Sequence, residues 1–187
     1  VGSEMCIRDR VKHGGLGPVV ATEVIVQVAD ALAAIHELGY AHGDVKPENI
    51  LFSRDGVPRL ADFNSARALA SASRTPAPYT PGYAAPEHAE TGRPVPGSDV
   101  WSLALVLYEA ATGKPLLPVD ELGYQEAIAK LEAWRKPRIE TGDAELDRII
   151  EECLKSRPEE RPTMEQLEEK LLQYLWRRYS TTSSGKK

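Results

Sequence analysis

Apolar positions recur at helical spacing in several separate stretches of the chain. Val24, Val28, Ala31, Leu32 and Ile35 share one face of a helix expected from Thr22, and Gly39 is placed to end it. The stretch DVWSLALVLYEAATG, with Ser98 as its expected cap, is apolar almost all round from Val100 to Leu107, so it belongs inside a core. A further helix is expected from about Asp120 to Trp134. Another has Asp143 as its cap and Leu146, Ile149, Ile150, Cys153 and Leu154 as its stripe. The last starts at a capping box, Thr163-x-x-Gln166, carries Leu167, Leu171, Leu172 and Leu175, and closes on Arg177 and Arg178.

Strand patterning is confined to one short region. Ile50–Phe52 and Pro58–Ala61 flank the turn signal Ser53-Arg54-Asp55-Gly56 and read as a hairpin. Residues 64–97 are rich in Ala, Ser, Thr, Pro and Gly with little periodicity; a loop of that length implies function or disorder. The fold expected is mainly α with one short β-hairpin, the helices gathered around a buried central helix.

The two ends stand outside this pattern. VGSEMCIRDR shows neither periodicity nor motif and is similar to translated read-end artefacts of assembled sequences. Residues 1–10 are therefore expected to be artefactual or disordered, 11–178 to form one domain, and the tail 179–187 to be disordered.

Composition narrows the function classes. The chain has 187 residues, enough to bury a core, with 23 Lys and Arg against 28 Asp and Glu for a net charge of −5. That balance speaks against nucleic acid or anionic lipid as a bulk partner. Cys6 and Cys153 have no metal-ligand spacing and imply reduced thiols in a cytoplasmic setting. No run of apolar residues has the length of a membrane span, and no signal peptide is visible. Oligomeric state leaves no mark.

The chemistry concentrates in His42-Gly43-Asp44-Val45-Lys46-Pro47-Glu48-Asn49, a proline-containing loop between a helix and a strand. A second Asp, Asp62, follows the next strand within Asp62-Phe63-Asn64. Two carboxylates, an amide and an ammonium converging at strand ends suit a divalent metal and a phosphate. The carboxylate oxygens hold Mg2+, the amide adds a neutral ligand, and the lysine offsets charge on a transferring phosphoryl group.

HGDVKPEN closely resembles the catalytic loop of eukaryotic-type (Hanks-type) serine/threonine protein kinases, and DFN resembles their DFG triplet. Ala85-Pro86-Glu87, Ser98-Asp99-Val100-Trp101 and Arg161-Pro162-Thr163 resemble later motifs of that family, in its order and at similar intervals, over about residues 14–177. The resemblance implies a kinase C-terminal lobe binding ATP and Mg2+ (or Mn2+) and acting on Ser/Thr hydroxyls of proteins. It implies Asp44 as the group that accepts or orients the substrate proton, and Lys46 beside the γ-phosphate. Asn49 and Asp62 would be metal ligands, with Leu51 under the adenine. His42 and Phe63 would stack in the internal apolar spine, Thr80 would contact Asp44 and Lys46, and Asp99 would hold the catalytic-loop backbone. Glu87 and Arg161 would form a buried ion pair. Lys46 and Thr80-Pro81-Gly82-Tyr83 resemble the serine/threonine branch.

Departures from the family pattern matter too. Gly43 stands where an arginine usually clamps an activation-loop phosphate, which puts control by phosphorylation in doubt. Asn64 replaces the triplet's glycine and is expected to tolerate its positive φ. Ser71, Ser73 and Thr75 are candidate phosphorylation sites or parts of a merely flexible loop. No glycine-rich loop, strand lysine, partner glutamate or hinge is legible, and the 13 residues before Gly14 are too few for a five-stranded lobe, so the N-terminal lobe is expected to be missing and the fragment inactive. The alternatives are a pseudokinase or scaffold built on the same lobe, and a small-molecule phosphotransferase. The second shares the H-G-D loop but not the motifs at 80–87 and 161.

Overall fold

The computed structural model describes residues 5–11, 14–70, 75–117 and 138–184. The helix expected at 120–134, Ser71 and Ser73 lie outside the described residues.

Two long helices build the scaffold. Pro18–Glu37 starts four residues before Thr22 because Pro18 occupies its first turn, where a missing N–H costs nothing; Gly39 follows its end at φ 79°. Pro96–Thr112 is the buried central helix, with Val100, Trp101, Leu103, Ala104, Leu105, Val106 and Leu107 all nearly inaccessible. Ser98 is not its N-cap: Val95 holds that place, and the Ser98 side chain, three residues in, accepts from the Val95 N–H at 3.1 Å. Gly113 ends the helix at φ 78°, where a Cβ would meet Gly15 N at 2.7 Å, so the glycine permits the close approach of residues 14 and 15.

With the shorter Ile7–Val11 and Pro86–Thr91, the helices are α1 (7–11), α2 (18–37), α3 (86–91), α4 (96–112), α5 (Ala144–Cys153) and α6 (Met164–Ser184). Helix α2 packs against α4 and α6, and α5 closes the core from the side of α4. Asp143 caps α5 through the N–H groups of Glu145 and Leu146, and Thr163 and Gln166 form their reciprocal box before α6. By length and composition α2 is apolar enough to cross a membrane, alone among the described helices, but its apolar face is spent on the core. Cys153 is fully buried, which pushes its thiol up to about 12 and makes it inert.

The strands are short. Met5–Cys6 (β1), Ile50–Phe52 (β3) and Pro58–Leu60 (β4) form an antiparallel sheet in the order β1-β3-β4, and Tyr40–Ala41 (β2) pairs with Arg67–Ala68 (β5). Residues 5–10, of the stretch 1–10 expected to be artefactual or disordered, form β1 and most of α1 and pack into the fold. Ile7 and Val11 are apolar neighbours on one face of α1, and both are buried in the core. The tail is likewise helical as far as Ser184, because nothing interrupts the helix before Gly185 and the Thr181 hydroxyl bonds back to the Arg177 carbonyl.

Candidate active site

The loop between β2 and β3 is held from below by one carboxylate. Asp99, in the first turn of α4 and 1% exposed, accepts from the His42 N–H and the Gly43 N–H at 2.8 Å each. A third partner, His36 near the end of α2, approaches the same carboxylate at 2.8 Å. Two charge-assisted backbone bonds onto a buried helix N-terminus fix the loop's path. The His42 ring accepts the Asp44 N–H at Nδ1 and donates through Nε2 to the Ala61 carbonyl, 3.1 Å away, so it ties the loop to the segment entering Asp62. Asn49 does the same from the other end, since its carbonyl accepts the Ala61 N–H at 2.8 Å.

Above this floor four side chains meet. The Lys46 ammonium lies 2.7 Å from Asp44 Oδ2 and donates to the Thr80 hydroxyl at 3.0 Å. The Thr80 hydroxyl in turn donates to Asp44 Oδ1 at 2.7 Å. Asn49 Nδ2 donates to the Asp44 carbonyl at 2.8 Å and to its Oδ2 at 3.3 Å, which turns the amide oxygen away from the loop. Asp44 and Lys46 are half-buried, so their attraction is only partly screened.

Asp62, which follows the Ala61 tied to His42 and Asn49, is exposed and holds the backbone at φ 59°, the left-handed region; its carboxylate accepts the Asn64 N–H. The positive φ expected at Asn64 therefore falls on Asp62, and Asn64 sits in the short 3-10 turn Phe63–Ser65. Phe63 meets His42 edge-on at 4.9 Å between centroids and leaves half of its surface exposed. Leu51 is half-buried in β3 opposite Arg59.

Among the described residues no three His, Cys, Asp or Glu side chains gather as a cage. That fits Mg2+, which keeps its waters and takes one or two carboxylates plus substrate phosphates. Asp62 and the Asn49 amide oxygen are hard oxygen donors of that kind.

Gly43 has a steric cause. At φ 81° a Cβ there would meet Pro94 Cγ at 2.9 Å and the Ser65 carbonyl at 3.1 Å. An arginine has no room. Gly43→Arg should lower stability by about 1–3 kcal/mol, read from the midpoint of a urea melt, through left-handed strain and overpacking.

A deeper layer anchors the segment carrying Thr80. Glu87 on α3 meets Arg161 in a two-pronged pair at 2.8 and 2.9 Å, and the Arg161 side chain is inaccessible. Burial pushes the Glu87 carboxyl up, but Arg161 and the Ser98 hydroxyl outweigh it and hold the group below its usual range. Sequence reasoning missed two further links. The Tyr83 hydroxyl donates to Glu109 at 2.5 Å inside the core, where burial and that carboxylate raise its pKa. Arg178 pairs with Asp143, the cap of α5, and Tyr174 joins them. A lone Glu on the apolar face of α4 was the one legible signal for the first.

A family model described as the protein kinase domain matches residues 3–172, so the chain belongs to the protein kinase family. It is 38% identical over 163 residues to the serine/threonine-protein kinase PkaA of Streptomyces coelicolor, covering 83% of this chain and 30% of that protein. It is 42% identical over 106 residues to PknL of Mycobacterium tuberculosis (55% of this chain, 27% of PknL). To PknE of the same species it is 34% identical over 154 residues (80% and 27%). The chain spans less than a third of each of these relatives.

Proposed function

We propose that this chain carries the catalytic loop of a serine/threonine protein kinase, which transfers the γ-phosphate of ATP to Ser and Thr hydroxyls of a protein substrate on the cytoplasmic side. The observation that carries this reading is the Asp44 carboxylate flanked at 2.7 Å by the Lys46 ammonium and at 2.7 Å by the Thr80 hydroxyl. A carboxylate so placed can accept the proton of an incoming hydroxyl, and an ammonium beside it offsets charge on the phosphoryl oxygens. Bound Mg2+ would neutralise the nucleotide phosphates, and Asp62 and Asn49 are the side chains to hold it. Thr80 fixes the rotamer of Asp44, and Lys46 is shared between the two.

The finer reading is that the chain holds the lower lobe and that a separate upper lobe grips ATP. Phe63 supports it: half of a large apolar ring faces outward beside the metal-binding carboxylate, where such a lobe would cover it. On this reading the isolated chain transfers no phosphate measurably, whereas a kinase domain with both lobes does. The protein-kinase match disfavours the small-molecule phosphotransferase.

The test is transfer of labelled phosphate from ATP to Ser/Thr and Tyr peptides by the two-lobed domain. Label on Ser/Thr peptides, and none with Asp44→Asn, supports the reading; equal label with both forms points to a scaffold. Thr80→Val should lower kcat by about 10–100-fold by deleting a bond to a charged group, with Thr80→Ser near wild type.

A further inference from the structure

His88 follows Glu87 on α3 and belongs to none of the motifs, yet it is among the most buried polar residues of the chain. Its side chain lies in a residue 1% exposed, and its Nε2 has no hydrogen-bond partner among the described residues. A buried nitrogen left unpaired is costly and rare, so its retention calls for a cause. The ring sits against Tyr79, with centroids 5.2 Å apart and planes tilted by 59°. Tyr79 directly precedes Thr80, whose hydroxyl reaches Asp44 and is reached by Lys46. Ala77, two residues earlier, is buried and bonded through its N–H to the Gly92 carbonyl at the end of α3.

We propose that His88 is a positioning residue for phosphate transfer: its ring is the support on which Tyr79 rests, and it thereby sets the placement of residues 77–80 that brings the Thr80 hydroxyl to Asp44. This rests on the kinase reading. The ring touches no substrate and no reacting atom; it acts through Tyr79 and Thr80.

The charged groups facing the ring come from three elements. Glu87 lies on α3 itself, Asp99 at the start of α4, and Asp44 in the catalytic loop; Arg161 and Lys46 are already held by Glu87 and Asp44. Burial holds the imidazole below the usual histidine range, and the Ala77 carbonyl and the three carboxylates oppose this without prevailing. The sign follows from linkage. Above the ordinary histidine pKa, about 6.5, both folded and unfolded chains hold a neutral ring and pH has no effect through this group. Below it the unfolded chain takes the proton more readily, so the folded arrangement loses stability as pH falls, until the folded ring also titrates. An imidazolium would need a second acceptor, which Nε2 lacks, and the support under Tyr79 would shift.

The experiment compares wild type, His88→Ala and His88→Phe in the two-lobed kinase domain with a Ser/Thr peptide. His88→Ala should lower kcat about 5–20-fold, in the same sense as Thr80→Val, while the ATP KM stays within about twofold, because the loss acts through the Thr80–Asp44 contact. His88→Phe, which fills the space without a nitrogen, should restore kcat to within about threefold and lose the acid fall in kcat/KM expected of wild type, which follows the folded ring and so lies below the usual histidine range. A second arm follows the melting temperature of the 187-residue chain. From about pH 7.5 to about 5.5, wild type should lose more than His88→Phe. An unchanged kcat in His88→Ala, a kcat loss that His88→Phe does not restore, or matching acid limbs and matching melting losses in wild type and His88→Phe, overturn the proposal. The melting arm needs no transfer, so an inactive wild type counts against the kinase reading while His88 is still decided.

Discussion

Asp44→Asn in the two-lobed kinase domain should lower kcat for Ser/Thr peptides by about 10²–10⁴-fold, the range a positioned proton acceptor supplies. The change is isosteric, so the scaffold remains. Asn49 can still bond the backbone carbonyl at position 44, and Asp99 still holds the loop through the N–H groups of 42 and 43. What disappears is the negative charge. Lys46, now 2.7 Å from a carboxylate, would face a neutral amide and turn toward the nucleotide phosphates. The ATP KM should therefore stay level or fall while kcat drops. The pair is only 21% and 10% exposed, so losing the charge costs some stability, and a melt of the variant should stay cooperative and fall by at most about 3 kcal/mol. A loss of kcat under threefold with an intact melt would remove Asp44 from the proton-transfer role.

The catalytic loop was legible because its chemistry is local. Asp44, Lys46 and Asn49 lie within six residues, and Pro47 keeps that stretch from becoming smooth helix, so their convergence follows from chain geometry. The helical faces were largely open to reading, since Leu103, Ile150 and Leu171 lie on buried stripes, but Leu172, expected in the stripe of α6, faces outward with half of its surface exposed. Boundaries were harder. Pro18 and Gly17 read as loop, yet proline suits a helix start, and α2 begins there. The links that hold the site together left little trace. His36 with Asp99, Tyr83 with Glu109 and Arg178 with Asp143 join residues 63, 26 and 35 positions apart, and no periodicity encodes such pairs. Motif resemblance supplied Glu87 with Arg161, where spacing alone would not. His88 was hidden for another reason: on sequence it is one polar residue on a short helix, and only its burial against Tyr79 sets it apart.

Arg161→Ala should destabilise the chain by about 3–5 kcal/mol, because it strands a half-buried carboxylate rather than removing a balanced pair. The Arg161 side chain is wholly inaccessible. It donates twice to Glu87, and also to the carbonyls of Lys155, Gly97 and Ser156, while its guanidinium lies 4.9 Å from the Trp101 ring. One side chain thus ties the start of α4, the turn before α6 and the helix that ends the Thr80 segment. Truncation leaves three carbonyls without that donor and Glu87 with only the Ser98 hydroxyl, and for a domain stable by about 5–15 kcal/mol such a loss approaches unfolding. Glu87→Gln should cost less, since the amide still accepts one bond and the arginine keeps its carbonyls. The double variant Glu87→Met with Arg161→Met should cost less than the sum of the two singles, the mark of a coupled pair. Acid should weaken the same contact. The Glu87 carboxyl titrates below its unfolded value, so its contribution is complete above that value, near 4.5, and is lost as pH falls through the folded pKa. Urea melts stepped from neutral to about pH 3 would show this as a drop in wild type that Glu87→Gln lacks. If the two proteins instead lost stability in parallel, the pair would hold no pH-dependent share of the fold.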